Sequence, residues 1–167
     1  MARTTKLVAL VLSVVLVFAL VGCSSPTSAA NEAISAANEQ SKKYTALDGE
    51  ISALMDKASA VDMTAEGVKP GIEAIDQARA KFEERKSVIA GIKSEFETVT
   101  GLKVSDSIKT YAKQQIEIST LLGQMDELGL KVIDDTKALY ELIESGSNDA
   151  DQAAKLSDSI DTTSQEL

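Results

Sequence analysis

The chain has 167 residues and carries 17 Lys and Arg against 26 Asp and Glu, a net charge of −9. An acidic balance of this size argues against nucleic acid, or an anionic membrane face, as a direct partner. There is no His and only one Cys, which removes the commonest general base and transition-metal ligand and any disulfide within the chain.

The N-terminus reads as an export signal. Arg3 and Lys6 form a short basic region, Leu7 to Val21 is apolar apart from Ser13, and the run closes at Gly22. The order positive, apolar, small is that of a secretory signal. The fifteen-residue apolar run is shorter than the roughly 20 residues that span a bilayer as a helix. Its last residues and the single cysteine, Leu20-Val21-Gly22-Cys23, resemble the lipobox of bacterial lipoproteins: Leu, a small or β-branched residue, Gly or Ala, then Cys. The resemblance implies cleavage between Gly22 and Cys23, a diacylglyceryl group on the Cys23 thiol and, in many bacteria, acylation of the new amino terminus. Two or more acyl chains give stable anchoring where one is marginal. It also implies the extracytoplasmic face of the cell membrane. Ser24, which is not the Asp of inner-membrane retention, allows an outer membrane where the host has one. Cleavage removes two of the 17 basic residues, Arg3 and Lys6, and none of the 26 acidic ones, leaving a chain at −11. Ser24 to Ala29, small, polar and containing Pro26, reads with Cys23 as a flexible tether over residues 23–29. A tether this short reaches about 20 Å at most, so the folded part is expected close to the bilayer.

From Ala30 the apolar positions recur in steps of three and four: Ala30, Ile34, Ala37, Tyr44, Leu47, Ile51, Leu54, Ala58 and Val61. This predicts a first helix over residues 30–61, stopping near Asp62 and Thr64. A second helix, residues 70–100, opens with Pro70 as its first helical position, the alternative being a start near Thr64 with Pro70 inside the first turns. It repeats Val68, Ile75, Phe82, Ile89 and Phe96, with a companion row Ala78, Ile92 and Val99 broken by Gly71 and Arg85. Gly101 is the expected left-handed residue after it. The third helix, residues 104–145, is capped by Ser105 or Asp106 and carries Val104, Tyr111, Ile118, Met125, Val132 and Leu139 seven apart. Leu121 and Leu128 widen that stripe. The companion row Ile108, Gln115, Leu122, Gly129, Thr136 and Ile143 is interrupted by Gln115, Gly129 and Thr136, read as loose packing rather than a groove for another helix. Gly146 is its left-handed terminator. Residues 147–167 read as a short helix to about Ile160, capped by Ser147 or Asn148, and a disordered tail from Asp161.

The fold class is therefore all-α. Short connections make neighbouring helices antiparallel, so residues 30–146 are expected as an elongated antiparallel three-helix bundle with a short C-terminal helix. The alternative is a homo-oligomeric coiled coil built on the third helix. Anchoring at Cys23 would place Asp56, Asp62, Glu66, Glu141, Glu144, Asp149 and Asp151 at the end far from the membrane.

Catalytic patterns are absent: there is no nucleophile elbow, phosphate loop or dinucleotide fingerprint. Glu83-Glu84 and Asp134-Asp135 read as solvated faces, since adjacent helical side chains do not converge. Asn148, Asp149 and Asp151 lack the Gly and closing Glu of a calcium loop; they read as acids favoured at a helix start. Arg79, Lys81, Arg85 and Lys86, mixed with Glu83 and Glu84, read as intrahelical pairs. Met55, Met63 and Met125 read as core or its edge. No catalytic residue, metal ligand or cofactor is expected. The expectation is a non-enzymatic, membrane-anchored lipoprotein that acts through a protein partner in the envelope. The alternatives are a ligand-sensing bundle and a cell-wall-binding lipoprotein.

Overall fold

A computed structural model describes residues 25–167. Its elements are four helices: α1 Ser25–Ser59, α2 Lys69–Gly101, α3 Asp106–Glu144 and α4 Ala150–Glu166. No strand occurs among the described residues. Gly22 and Cys23 lie outside them.

α1 begins earlier than the periodicity indicates, so the part of the expected tether from Ser25 to Ala29 is helical. Pro26 is tolerated there because the first turn has no intrahelical use for its missing N–H. The Ala-rich residues that follow favour helix, and Ala30 and Ala33 are buried. At its other end α1 stops at Ser59, where the Tyr140 hydroxyl donates to the Ala58 carbonyl at 2.8 Å. The following turn is built on Thr64, whose Oγ1 accepts from Gly67 N–H at 3.0 Å while its carbonyl accepts from Val68 N–H. Gly67 sits so close to the Asp62 carbonyl that a Cβ would not fit. Val68 then accepts from Ile72 N–H and caps α2, with Pro70 in the first turn as expected.

The two glycine terminators differ. Gly146 has φ +67°, Ser147 N–H reaches Leu142 O and Gly146 N–H reaches Ile143 O, the paired bonds of a Schellman ending. Gly101 has no positive φ; it stays helical, and Leu102 N–H closes onto Val99 O at 3.2 Å. Asp149, rather than Ser147 or Asn148, caps α4, accepting from Gln152 N–H at 2.9 Å. α4 runs on to Glu166, so the segment expected to be disordered is helical, and Thr163 within it is fully buried.

The chain divides into two compact units. Among the described residues, unit 1 comprises 25–44 and 88–122, and unit 2 comprises 45–87 and 123–167. In unit 1 the α1 residues Ala30, Ala33, Ala37 and Tyr44 are buried, as are Ile89, Ile92, Phe96 and Val99 of α2 and Ala112 of α3. Phe96 meets Tyr111 edge-on with ring centroids 5.7 Å apart. In unit 2 the core comprises Ile51, Ala58, Val68, Ala74, Ile75, Ala78, Phe82, Leu130, Ile133 and Tyr140. There, cross-helix pairs such as Glu50 with Lys81 and Asp48 with Arg85 run in opposite directions along α1 and α2. Asp76 with Lys137 and Arg79 with Asp134 do the same for α2 and α3.

Both rows expected of α2 are buried, including their exceptions Gly71 and Arg85. α3 is oriented otherwise. Its buried row is Ala112, Ser119, Asp126, Ile133 and Tyr140. The row from Val104 to Leu139 is only half-buried, and Leu121 is exposed. Gly129 does not loosen the packing: a Cβ there would lie 2.6 Å from the Phe82 ring, so the ring occupies the space. Thr136 returns its hydroxyl to Val132 O at 2.7 Å. Met63, expected at the core or its edge, is 57% exposed in the α1–α2 turn.

Candidate functional site

The buried polar constellation of unit 2 is centred on Arg85. Its side chain enters the core between Phe82 and the buried row of α3, at a position that breaks an otherwise apolar row of α2. Asp126 receives it in bidentate fashion, with Nη2 donating to Oδ1 at 2.5 Å and Nε to Oδ2 at 3.2 Å. Nη1 donates to Asp48 Oδ1 of α1 at 2.5 Å. The guanidinium carbon stands 4.5 Å from the Phe82 ring centroid, within cation–π range. The Asp126 side chain is 1% exposed and that of Arg85 8%, whereas Asp48 opens to solvent at 38%. One side chain from each of three helices thus meets at a single guanidinium.

Burial pushes the Asp126 carboxyl above its ordinary value, and the bond and charge of Arg85 pull it back only in part. Nearby Asp48 pushes the same way as burial, and Lys86 opposes it. Both Asp126 oxygens already accept from Arg85, and a guanidinium does not give up its proton. The group is therefore not arranged as an acid–base pair. Its chemistry is positional: a planar fork satisfied from two other helices fixes their register.

Several other acidic residues serve structural partners. Glu66 pairs with Lys69 at 2.9 Å, and Asp149 caps α4. Asp134 meets Arg79 at 3.4 Å, and Asp135 accepts from Ser159 Oγ at 2.7 Å. The basic residues of α2, expected to pair along their own helix, pair mainly across helices: Lys81 with Glu50, Arg85 with Asp48 and Asp126, Lys86 with Glu127. Lys81 with Glu84 at 3.8 Å is an intrahelical contact of the expected kind. Among the described residues no group of three His, Cys, Asp or Glu side chains is placed to hold a metal ion. An open cleft of about 570 Å³ lies at the α1–α2 turn, lined by residues including Leu54, Lys57, Val61, Pro70, Glu73 and Gln77. It does not include the Arg85 constellation.

Asp48 and Asp126 escaped the sequence reading. A cation in an apolar seam was the available signal, because a buried Arg requires a carboxylate from a neighbouring helix. Cys23 and Gly22, the residues that carry the lipobox, lie outside the described residues, and no described helix is long and apolar enough to cross a membrane. No protein-family model matches the chain, and no curated protein or solved structure matches it.

Proposed function

We propose that this protein is a lipid-anchored lipoprotein of the extracytoplasmic membrane face, non-enzymatic, and an interaction or structural module of the cell envelope. The observation that carries the reading is Leu20-Val21-Gly22-Cys23, placed directly after a basic and then an apolar segment, with Cys23 the sole cysteine. In this reading the signal peptide is lost before Cys23, the Cys23 thiol carries the lipid, and the described helix starts at Ser25. The helical part then stands against the bilayer on a shorter link than a flexible 23–29 tether. The opposed running of the cross-helix pairs in unit 2 supports an antiparallel three-helix bundle, with α4 as an added helix. The Arg85 constellation supports a scaffold over an enzyme, because its polar atoms are consumed by one another. A protein partner in the envelope follows from this role, and a cofactor does not.

The test is the mass of the N-terminal peptide of protein purified from membranes. The expected peptide begins at Cys23 and carries a diacylglyceryl adduct that Cys23→Ser abolishes, while the helical circular dichroism of the variant is unchanged. A native N-terminal peptide that starts elsewhere, or a free thiol on Cys23, would overturn the reading.

A further inference from the structure

α3 has two faces in unit 2. One holds Asp126, Leu130, Ile133 and Tyr140 in the core. The other carries Leu128, Val132, Asp135, Leu139 and Leu142, in steps of three and four, all half-buried. α4 follows the tight turn at Gly146 and meets this second face where Ser159 Oγ bonds Asp135 at 2.7 Å. Its own inward positions are Ala153, Leu156, Ser159, Ile160 and Thr163.

This contact is poorly matched in two independent ways. Thr163 is fully buried, yet its hydroxyl has no hydrogen-bond partner, and an unsatisfied buried hydroxyl opposes docking. The charges are also alike. α4 carries Asp151, Asp158, Asp161 and Glu166 against Lys155 alone. The α3 segment carries Glu127, Asp134, Asp135, Glu141 and Glu144 against Lys131 and Lys137. Glu127 and Asp134 pair with Lys86 and Arg79 of α2, and Lys137 lies between Asp76 and Glu141. Asp135, the acid that meets α4, has no ion-pair partner among the described residues. Among the described residues, no acid of α4 has an ion-pair partner.

We propose that α4 is a releasable strap over this stripe of α3, and that the occupant replacing it is a basic amphipathic helix of a partner protein. Such a helix offers the apolar stripe that α4 supplies thinly and the charge that α4 lacks. The proposal deepens the interaction reading and rests on it. Its test concerns α4, and the lipid on Cys23 does not enter it.

The experiment uses the full chain in nonionic detergent micelles. It combines amide exchange resolved by helix with binding of two synthetic amphipathic helices of one apolar pattern, one with lysines and one with glutamates on the polar face. α4 amides are expected to exchange at least a hundredfold faster than those of α2. The lysine peptide should bind and crosslink to residues 128–142, and the glutamate peptide should not. Thr163→Val, which removes the orphan hydroxyl without changing charge, should slow α4 exchange and weaken the lysine peptide about fivefold. Leu156→Ser should do the reverse. Protection of α4 equal to that of α2 would overturn the proposal, as would lysine-peptide affinity indifferent to both variants, or equal binding of the glutamate peptide.

Discussion

Arg85 makes three kinds of contact at once: a bidentate pair with Asp126, a single bond to Asp48 and a ring contact with Phe82. Removing one member of a buried pair is costly because the other is left desolvated, about 3–5 kcal/mol. Arg85→Ala is expected to lose stability on that order in urea denaturation, whereas Arg85→Met with Asp126→Leu should recover most of it, since apolar replacement of both partners is often neutral or better. The pH dependence follows from the direction of the Asp126 shift. A carboxyl raised in the folded state binds its proton more readily folded than unfolded. Its contribution to stability is thus full below the unfolded carboxylate range near 3.9 and is lost as pH rises through the raised folded value. The stability advantage of wild type over Asp126→Asn should therefore shrink as pH rises above the ordinary carboxylate range. A widening advantage would mean that the Arg85 bonds outweigh burial.

Among the elements, α3 has two glycines with opposite expectations. At Gly123 an added Cβ meets nothing within 4 Å, so Gly123→Ala should gain about 1 kcal/mol from helix propensity alone. At Gly129 the same Cβ comes within 2.6 Å of the Phe82 ring, and Gly129→Ala should lose about 1–2 kcal/mol as the buried ring is displaced. Thermal melts of the two variants check both signs. The same helix shows where sequence reading ends. α2 was legible because its buried positions, Gly71 and Arg85 aside, are apolar, so hydropathy and burial share one period. In α3 the core face includes Ala112, Ser119 and Asp126. Hydropathy scores these low and so points to the Val104–Leu139 row, which is only half-buried. Ser119 is reconciled with burial by bonding Gln115 O at 2.8 Å, and Asp126 by Arg85. Such pairing depends on which helices meet and leaves no mark on local periodicity. α4 was cut short for a related reason: Thr163 is buried in a stretch whose composition reads as a tail.

At the scale of the whole molecule, six ionisable groups among the described residues shift upward. Burial raises Tyr111 and Tyr140, and Tyr140 also needs its proton to donate to Ala58 O. Hydrogen bonds donated to Glu66, Glu50 and Asp76 raise Lys69, Lys81 and Lys137 respectively. For a group whose folded pKa lies above its unfolded one, the stabilisation is complete below the unfolded value and disappears as pH climbs through the folded value. All five act above about pH 10, where unperturbed Tyr and Lys titrate. Asp126 acts from the carboxylate range upward. Between these windows the chain has no His to titrate. Thermal midpoints measured by circular dichroism should therefore hold a plateau between these windows and fall above about pH 10. Tyr140→Phe should lower the neutral plateau by about 0.5–1.5 kcal/mol through the lost bond to Ala58 O, and make the alkaline fall shallower. The Lys pairs are solvent-exposed and screened, so 0.5 M salt should reduce their share of the alkaline fall and leave the tyrosine share. A rise in stability above about pH 10 would run against the direction of the Tyr and Lys shifts.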